Sequence, residues 1–168
     1  MEENNLFENN YEFEYVVGLN HSYIFKTTNE VIFEIKFKPS NYIFGYSEII
    51  NINAFELGIV ILEGGRKVGI DIKIPTTIAE IVFDFFSKKL EDVIVYICDS
   101  SDSRQLARKR KFDSWVDYFK GTDYFKVDAE IIDNDKNKIY SSLILKSDHP
   151  NFSEIIKYFG SLSSTYSK

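Results

Sequence analysis

The sequence predicts an α+β domain built on a largely antiparallel sheet, and three observations carry that prediction. Apolar and polar residues alternate through most of Tyr11–Val17 and Val31–Lys38, and throughout Phe125–Ile131. Between these stretches the apolar period lengthens to that of a helix, at about 77–90. One run, Val93–Cys98, is apolar throughout, as in a strand covered on both faces.

Residues 1–10 are polar and acidic and are expected to form a flexible lead-in to a single domain over 11–162, with a frayed serine-rich tail at 163–168. In the first strand Tyr11, Phe13, Tyr15 and Val17 share a face opposite Glu12 and Glu14. Strands are expected at Ser22–Thr28 and Val31–Lys38, about a turn at Thr28-Asn29-Glu30. Val31, Phe33, Ile35 and Phe37 share a face, and Pro39 ends the run because it has no N–H for a ladder. A fourth strand lies within Ile50–Leu62, and Glu63–Arg66 turns it into a fifth at Val68–Ile74. Thr77-x-x-Glu80 reads as a capping box that opens the first helix, with Ile78, Ile81, Val82, Phe85 and Phe86 as its inner stripe. A second helix is expected from about Ser103 to Phe119, a hairpin across Asp133–Asn137 into Ile139–Lys146, and a last helix from Pro150-Asn151 to Leu162. The expected core includes Ile78, Ile81, Val82, Phe85, Val95, Ile97, Trp115, Phe119 and Phe159.

Composition narrows the function. With 168 residues, 44% apolar and 16% aromatic, the chain can bury a substantial core. A net charge of −6 argues against general nucleic-acid binding, which needs a basic face. No apolar run is long enough for a membrane helix, so no membrane partner is expected. The single cysteine and the lack of a signal-peptide pattern after Met1 point to the cytosol.

The junction between Val93–Cys98 and the second helix is the strongest candidate site. A strand end meets a helix start, where backbone N–H groups are open and the dipole is positive. Asp99, Ser100, Ser101, Asp102, Arg104 and Arg108 are the candidate binding residues. Helical phase puts Arg104, Arg108, Phe112, Trp115 and Phe119 on one stripe, so Arg108 is expected to be mostly buried and paired with Asp99, Asp102 or backbone carbonyls. The structural reading is a helix capped by Asp102 or Ser101 and tied down by arginines. The alternative is a cradle for an anionic small ligand or a partner's carboxylate.

Tyr96-Ile97-Cys98-Asp99-Ser100-Ser101-Asp102, Arg104-Gln105, Arg108, Phe112 and Trp115 resemble the signature of a family of bacterial proteins, chiefly from Bacteroidota, that constitutes a domain of unknown function. The resemblance extends to Thr77-Ile78, Phe85-Phe86 and the final strand and helix. It implies a bacterial, cytosolic setting and glycine at position 103, where this chain has serine, and it assigns no catalytic residue. The order strand, helix, strand, helix, two strands also resembles, distantly, the second half of the acyl-CoA-dependent N-acetyltransferase fold. The glycine-rich pyrophosphate loop of that fold is replaced here by Pro75-Thr76-Thr77.

Other chemistry is sparse. His21 and His149 are far apart in sequence and are read as exposed loop residues, so no metal site and no cofactor are expected. Cys98 ends a buried strand and reads as an inert small hydrophobe. In the basic run Arg108–Lys111, Lys109 and Arg110 are expected to point away from the core. With no convergent acid, base and nucleophile, the reading is a cytosolic, non-enzymatic binding or interaction module with a protein partner. The alternative is a small enzyme or sensor that takes a phosphorylated or acyl-CoA ligand at Asp99–Arg108.

Overall fold

Among the described residues, seven strands form one mixed sheet in the order β1-β2-β3-β4-β5-β7-β6. The computed structural model describes residues 9–41, 52–64, 69–98, 101–116, 123–132 and 134–163. β1 (Phe13–Val16), β2 (His21–Lys26), β3 (Ile32–Pro39) and β4 (Ala54–Glu63) make the expected antiparallel meander. Helix α1 (Lys73–Lys88) then crosses over to β5 (Val93–Cys98), which lies parallel to β4. α2 (Gln105–Val116) leads to the hairpin β6 (Tyr124–Ile132) and β7 (Lys138–Lys146), and β7 enters between β5 and β6. α3 (Phe152–Leu162) closes the fold.

Strand alternation splits the core into two layers. Tyr23, Phe25, Phe33, Ile35, Phe37, Leu57 and Ile94 face α1 and α2, and meet Ile78, Ile81, Val82, Phe85, Phe86 and Phe112. Val93, Val95, Leu143 and Leu145 face the other way, onto Ile155 and Phe159 of α3. β5 is therefore covered on both faces, as its apolar run requires, and Val93, Ile94 and Val95 are fully buried. Of the expected core, Ile78, Ile81, Val82, Phe85, Val95 and Phe159 are buried. Ile97 and Trp115 are only partly buried, and Phe119 lies outside the described residues.

Two expectations near α1 are corrected. No capping box forms at Thr77, because α1 begins one turn earlier, at Lys73. The side chain that serves its start is Asp71, whose Oδ1 accepts from the Lys73 N–H at 3.0 Å, while Tyr11 Oη donates to Asp71 Oδ2 at 2.6 Å. Thr77 is fully buried inside the helix, donates to the Lys73 carbonyl and accepts from the Tyr11 N–H at 2.9 Å. It thereby ties the approach to β1 onto α1. The expected strand at Val68–Ile74 is also absent over its described part. Residues 69–72 are irregular, Lys73 and Ile74 start α1, and position 68 lies outside the described residues. The alternation of Ile70, Ile72 and Ile74 is overridden by the crossover helix and by the Asp71 side chain at its start.

Gly64 holds φ +103°, and a Cβ there would come 2.6 Å from Val31 Cα, so the end of β4 requires glycine.

His149 corrects another expectation. It is buried, with Nε2 2.7 Å from the Glu91 carbonyl, and Nδ1 accepts from the Asn151 N–H at 3.0 Å. Since Nδ1 is the acceptor, Nε2 carries the proton and donates to Glu91. The ring joins the loop before β5 to the start of α3. His149→Ala would leave both backbone groups without these partners and should destabilise the protein by about 1–3 kcal/mol, read as a lower urea midpoint.

Candidate functional site

The described part of the junction, 101–104, forms an exposed turn, not a buried ion-pair pocket. Ser103 takes φ +58°, in the left-handed region, and α2 begins only at Gln105. Asp102 Oδ1 accepts from the Arg104 N–H at 3.0 Å, so Asp102 caps the turn that precedes α2, where a cap of the helix itself was expected. The Arg104 carbonyl accepts from the Arg108 N–H at 3.0 Å. Arg108 Nη1 reaches both carboxylate oxygens of Asp102 at 2.8 Å. The expected partner is found, but the expected burial is only partial: the Arg108 side chain is 33% exposed and that of Asp102 is 48% exposed. The physical reason is the left-handed residue at 103, which turns the chain so that the Asp102–Arg108 pair sits on the surface. Ser101 and Arg104 are exposed, and Asp99 and Ser100 lie outside the described residues.

The basic run is mostly spent on structure. Lys109 does not point freely into solvent but pairs with Asp113, one turn on, and lies 3.7 Å from Asp128 of β6. Lys126 bridges Asp113 at 2.8 Å and Asp128 at 2.6 Å, and Ser142 Oγ donates to Asp128 at 2.7 Å. The Asp113 bond raises the Lys109 pKa. Partial burial pushes the Asp128 carboxyl up, but Lys126, Ser142 and Lys109 outweigh it and hold it below its ordinary range. This balanced network fastens α2 to the β6–β7 hairpin.

Cys98 is buried, and desolvation pushes its thiol up to about 11 despite the opposing Arg108 charge. The thiolate nucleophile is thereby suppressed, which agrees with the inert reading. His21 lies on β2, not in a loop, edge-on against the rings of Phe55 and Phe85, with Nδ1 2.8 Å from Tyr15 Oη. Burial and the nearby Lys89 lower its pKa. Among the described residues no group of three His, Cys, Asp or Glu side chains is arranged to hold a metal ion. No described helix is long and apolar enough to cross a membrane.

The feature that sequence reasoning missed is a groove beside α2. β4 pairs with β5 only at Ala54–Glu56 and Val93–Val95, although β4 continues to Glu63. The two strands then part company. A groove of about 540 Å³ lies at this end of the helical face, with Phe33 and Ile61 as its floor. The segment Gly69–Pro75 forms one wall, and Lys111, Ser114 and Trp115 of α2 form the other. Ile61 is 46% exposed and Ile72 is 57% exposed, and Lys111 Nζ stands 5.1 Å from the Trp115 ring centroid. Trp115 thus bridges core and groove, where a strictly inward-facing stripe was expected. The available signal was the adjacency of Ile70 and Ile72 to a helix start, together with the uncharged run Leu57–Leu62.

Two predictions follow from the turn. Ser103→Gly should raise stability by up to about 1 kcal/mol, because glycine accepts the left-handed conformation without strain. A chemical denaturation curve unchanged or shifted downward would contradict this. The Arg108 guanidinium and the Arg104 N–H hold the Asp102 carboxyl below its ordinary range. A lowered folded pKa contributes stability above the unfolded value and loses it as pH falls through the folded one. The difference in urea stability between wild type and Asp102→Asn should therefore be level above about pH 5 and close between about pH 4 and pH 2.

No curated protein and no solved structure matches the chain. Residues 70–161, from the wall of the groove through α3, match the family of unknown function DUF6169. That span is more than half of the sequence and includes α1, β5, α2 and the β6–β7 hairpin, and the chain belongs to this family.

Proposed function

We propose that this protein is a non-enzymatic binding module of the bacterial cytosol, and that its ligand lies in the groove between the outer part of β4, the segment before α1, and α2. One observation carries this reading. Ile61, Ile70 and Ile72, each at least 46% exposed, gather beside Trp115 in a single groove. Scattered exposed apolar side chains are ordinary, but a contiguous concave group marks a surface that something else covers. Lys111 stands at its rim, and Arg108, Lys111 and Trp115 recur along α2 at intervals of three and four residues, with Arg104 just before the helix. Such a stripe favours a ligand with an apolar body and an anionic end.

The groups best suited to catalysis are already engaged in the fold. The Cys98 thiol is buried, His149 serves Glu91 and Asn151, and the His21 ring packs edge-on against two phenylalanines. At Asp99–Arg108 the Arg108 charge is matched by Asp102, whose carboxylate would also repel an incoming anion. The junction therefore supports the structural role better than a phosphate site. Lys109 is spent on Asp113 and Asp128, which supports the argument from net charge against nucleic acid.

A second reading keeps the acyl-CoA or phosphorylated ligand, as substrate of a small enzyme or effector of a sensor. It is favoured by the succession β4-α1-β5-α2-β6-β7, with β4 and β5 parallel and then diverging, which extends the distant likeness to the N-acetyltransferase half-fold.

The sole tryptophan reports on both readings. Dodecanoate, below its micellar concentration, should shift the emission of Trp115. Ile61→Lys should weaken that binding at least about tenfold, or about 1.4 kcal/mol. Inorganic phosphate and ATP should leave both the emission and the thermal midpoint unchanged. Stabilisation by coenzyme A or a nucleotide that disappears in Arg104→Ala would establish the second reading instead, and no response to any of these probes would remove the first.

A further inference from the structure

We infer that the groove admits an extended peptide segment from a partner protein, which adds its main chain to the free edge of β4. This rests on the groove being a binding site and specifies what it takes. β3 pairs with β4 along its whole length, from Pro39 opposite Phe55 to Ile32 opposite Glu63. On the other side, β5 pairs with β4 only as far as Glu56. Among the described residues, no strand therefore pairs with that second edge from Leu57 onward. Its N–H and C=O groups need a partner, and an extended chain supplies one at every second residue.

The other two open edges of the sheet are blunted against such pairing. β1 is four residues long and carries Glu14, and β6 carries Lys126, Asp128 and Glu130 at alternate positions. Charge and brevity are the usual protections of an edge strand. The β4 edge has neither: Leu57-Gly58-Ile59-Val60-Ile61 contains no charge and no proline, and the register shift opposite Ile32/Phe33 comes only at its far end. An unprotected edge of this kind is suited to strand addition.

The flanking side chains specify the peptide. On the helical face an added strand meets Ile59, Ile61 and Trp115; on the other face it meets Val60, which is 37% exposed. Alternate residues of the peptide are thus apolar. Lys111 at the groove rim complements an acidic residue at one of the remaining positions, while Asp71 on the opposite wall is engaged by Tyr11 and the Lys73 N–H. A second copy of this chain is a poor occupant, since each copy carries a net charge of −6 and its outer edges are the blunted ones.

The test is selection from a phage-displayed library of random nine-residue peptides on the intact protein. The enriched sequences should alternate apolar residues with Asp or Glu and lack proline. The corresponding synthetic peptide should shift Trp115 emission, compete with dodecanoate, and slow amide exchange within Leu57–Ile61 at least tenfold. The same peptide N-methylated at alternate amides, so that one edge cannot pair, should bind at least tenfold more weakly. Equal binding of the N-methylated peptide, enrichment of basic or proline-rich sequences, or no enrichment would each overturn the proposal. If dodecanoate still moves Trp115 emission in that case, the groove reading stands and only the strand is lost. If neither probe moves it, both fall.

Discussion

The fold depends on how α1 is held against the meander. Phe85 stacks on Phe37 of β3 with ring centroids 4.0 Å apart and meets Phe55 of β4 edge-on at 5.1 Å. Both the stacked and the edge-on arrangement suit the aromatic quadrupole. Because α1 is the crossover between β4 and β5, its seat on the sheet decides where β5 begins and that it runs parallel to β4. The hairpin then follows from β5, with β7 paired to it and β6 to β7. Tyr11 and Thr77 reinforce the same contact from the other end of the helix.

That seat also explains the groove. α1 fixes β4 and β5 together at Ala54–Glu56, near the helix C-terminus, where Lys89 and Asp92 bring the chain back to the sheet. Toward the helix N-terminus nothing in the pairing holds the two strands together. The space between the layers at that end is closed on one side by α2, and α2 meets the sheet chiefly through Phe112, whose ring stacks on Tyr96 at 4.0 Å. With Phe112 as its only fully buried residue, α2 is anchored as much by ions as by apolar area. The Lys109–Asp113–Lys126–Asp128 network supplies that anchorage. A polar helix fastened in this way can present Lys111 and Trp115 to a groove while its buried side stays small.

Charge is distributed by the same logic. The chain is acidic overall, yet α2 concentrates positive charge between two acidic residues that use part of it, Asp102 and Asp113. An isolated exposed pair such as Asp102–Arg108 adds little to stability and mainly sets orientation. Beside the left-handed Ser103, Asp102 accepts from the Arg104 backbone N–H and pairs with the Arg108 guanidinium, so one turn both leads into the helix and neutralises the Arg108 charge. The glycine implied at this position by the family resemblance is the residue such a φ favours.

The sequence by itself determined what depends on period and chain punctuation. The alternation of Val31, Phe33, Ile35 and Phe37 established β3 and its inner face, and the stripe Ile78, Ile81, Val82 and Phe85 established α1. The wholly apolar Val93–Cys98 established a strand covered on both sides, and the arginine–aspartate partnership after it was legible from residue types and spacing. Only the tertiary structure decided matters that depend on contacts distant in sequence. The start of α1 is set by Asp71 and Tyr11, not by a local capping box, because Thr77 is claimed by the backbone of Tyr11, far away in the chain. His149 is a buried link because Glu91 lies opposite it in the fold, which no local pattern reveals. Arg108 is part-exposed because a single left-handed residue turned the chain, and Lys109 is engaged because β6 returns beside α2. The groove has only a faint local signature, the isoleucines before α1 and the uncharged run Leu57–Leu62: it exists because two strands that pair at Ala54–Glu56 do not pair further on, and the distance between strands is a property of the sheet, not of either segment.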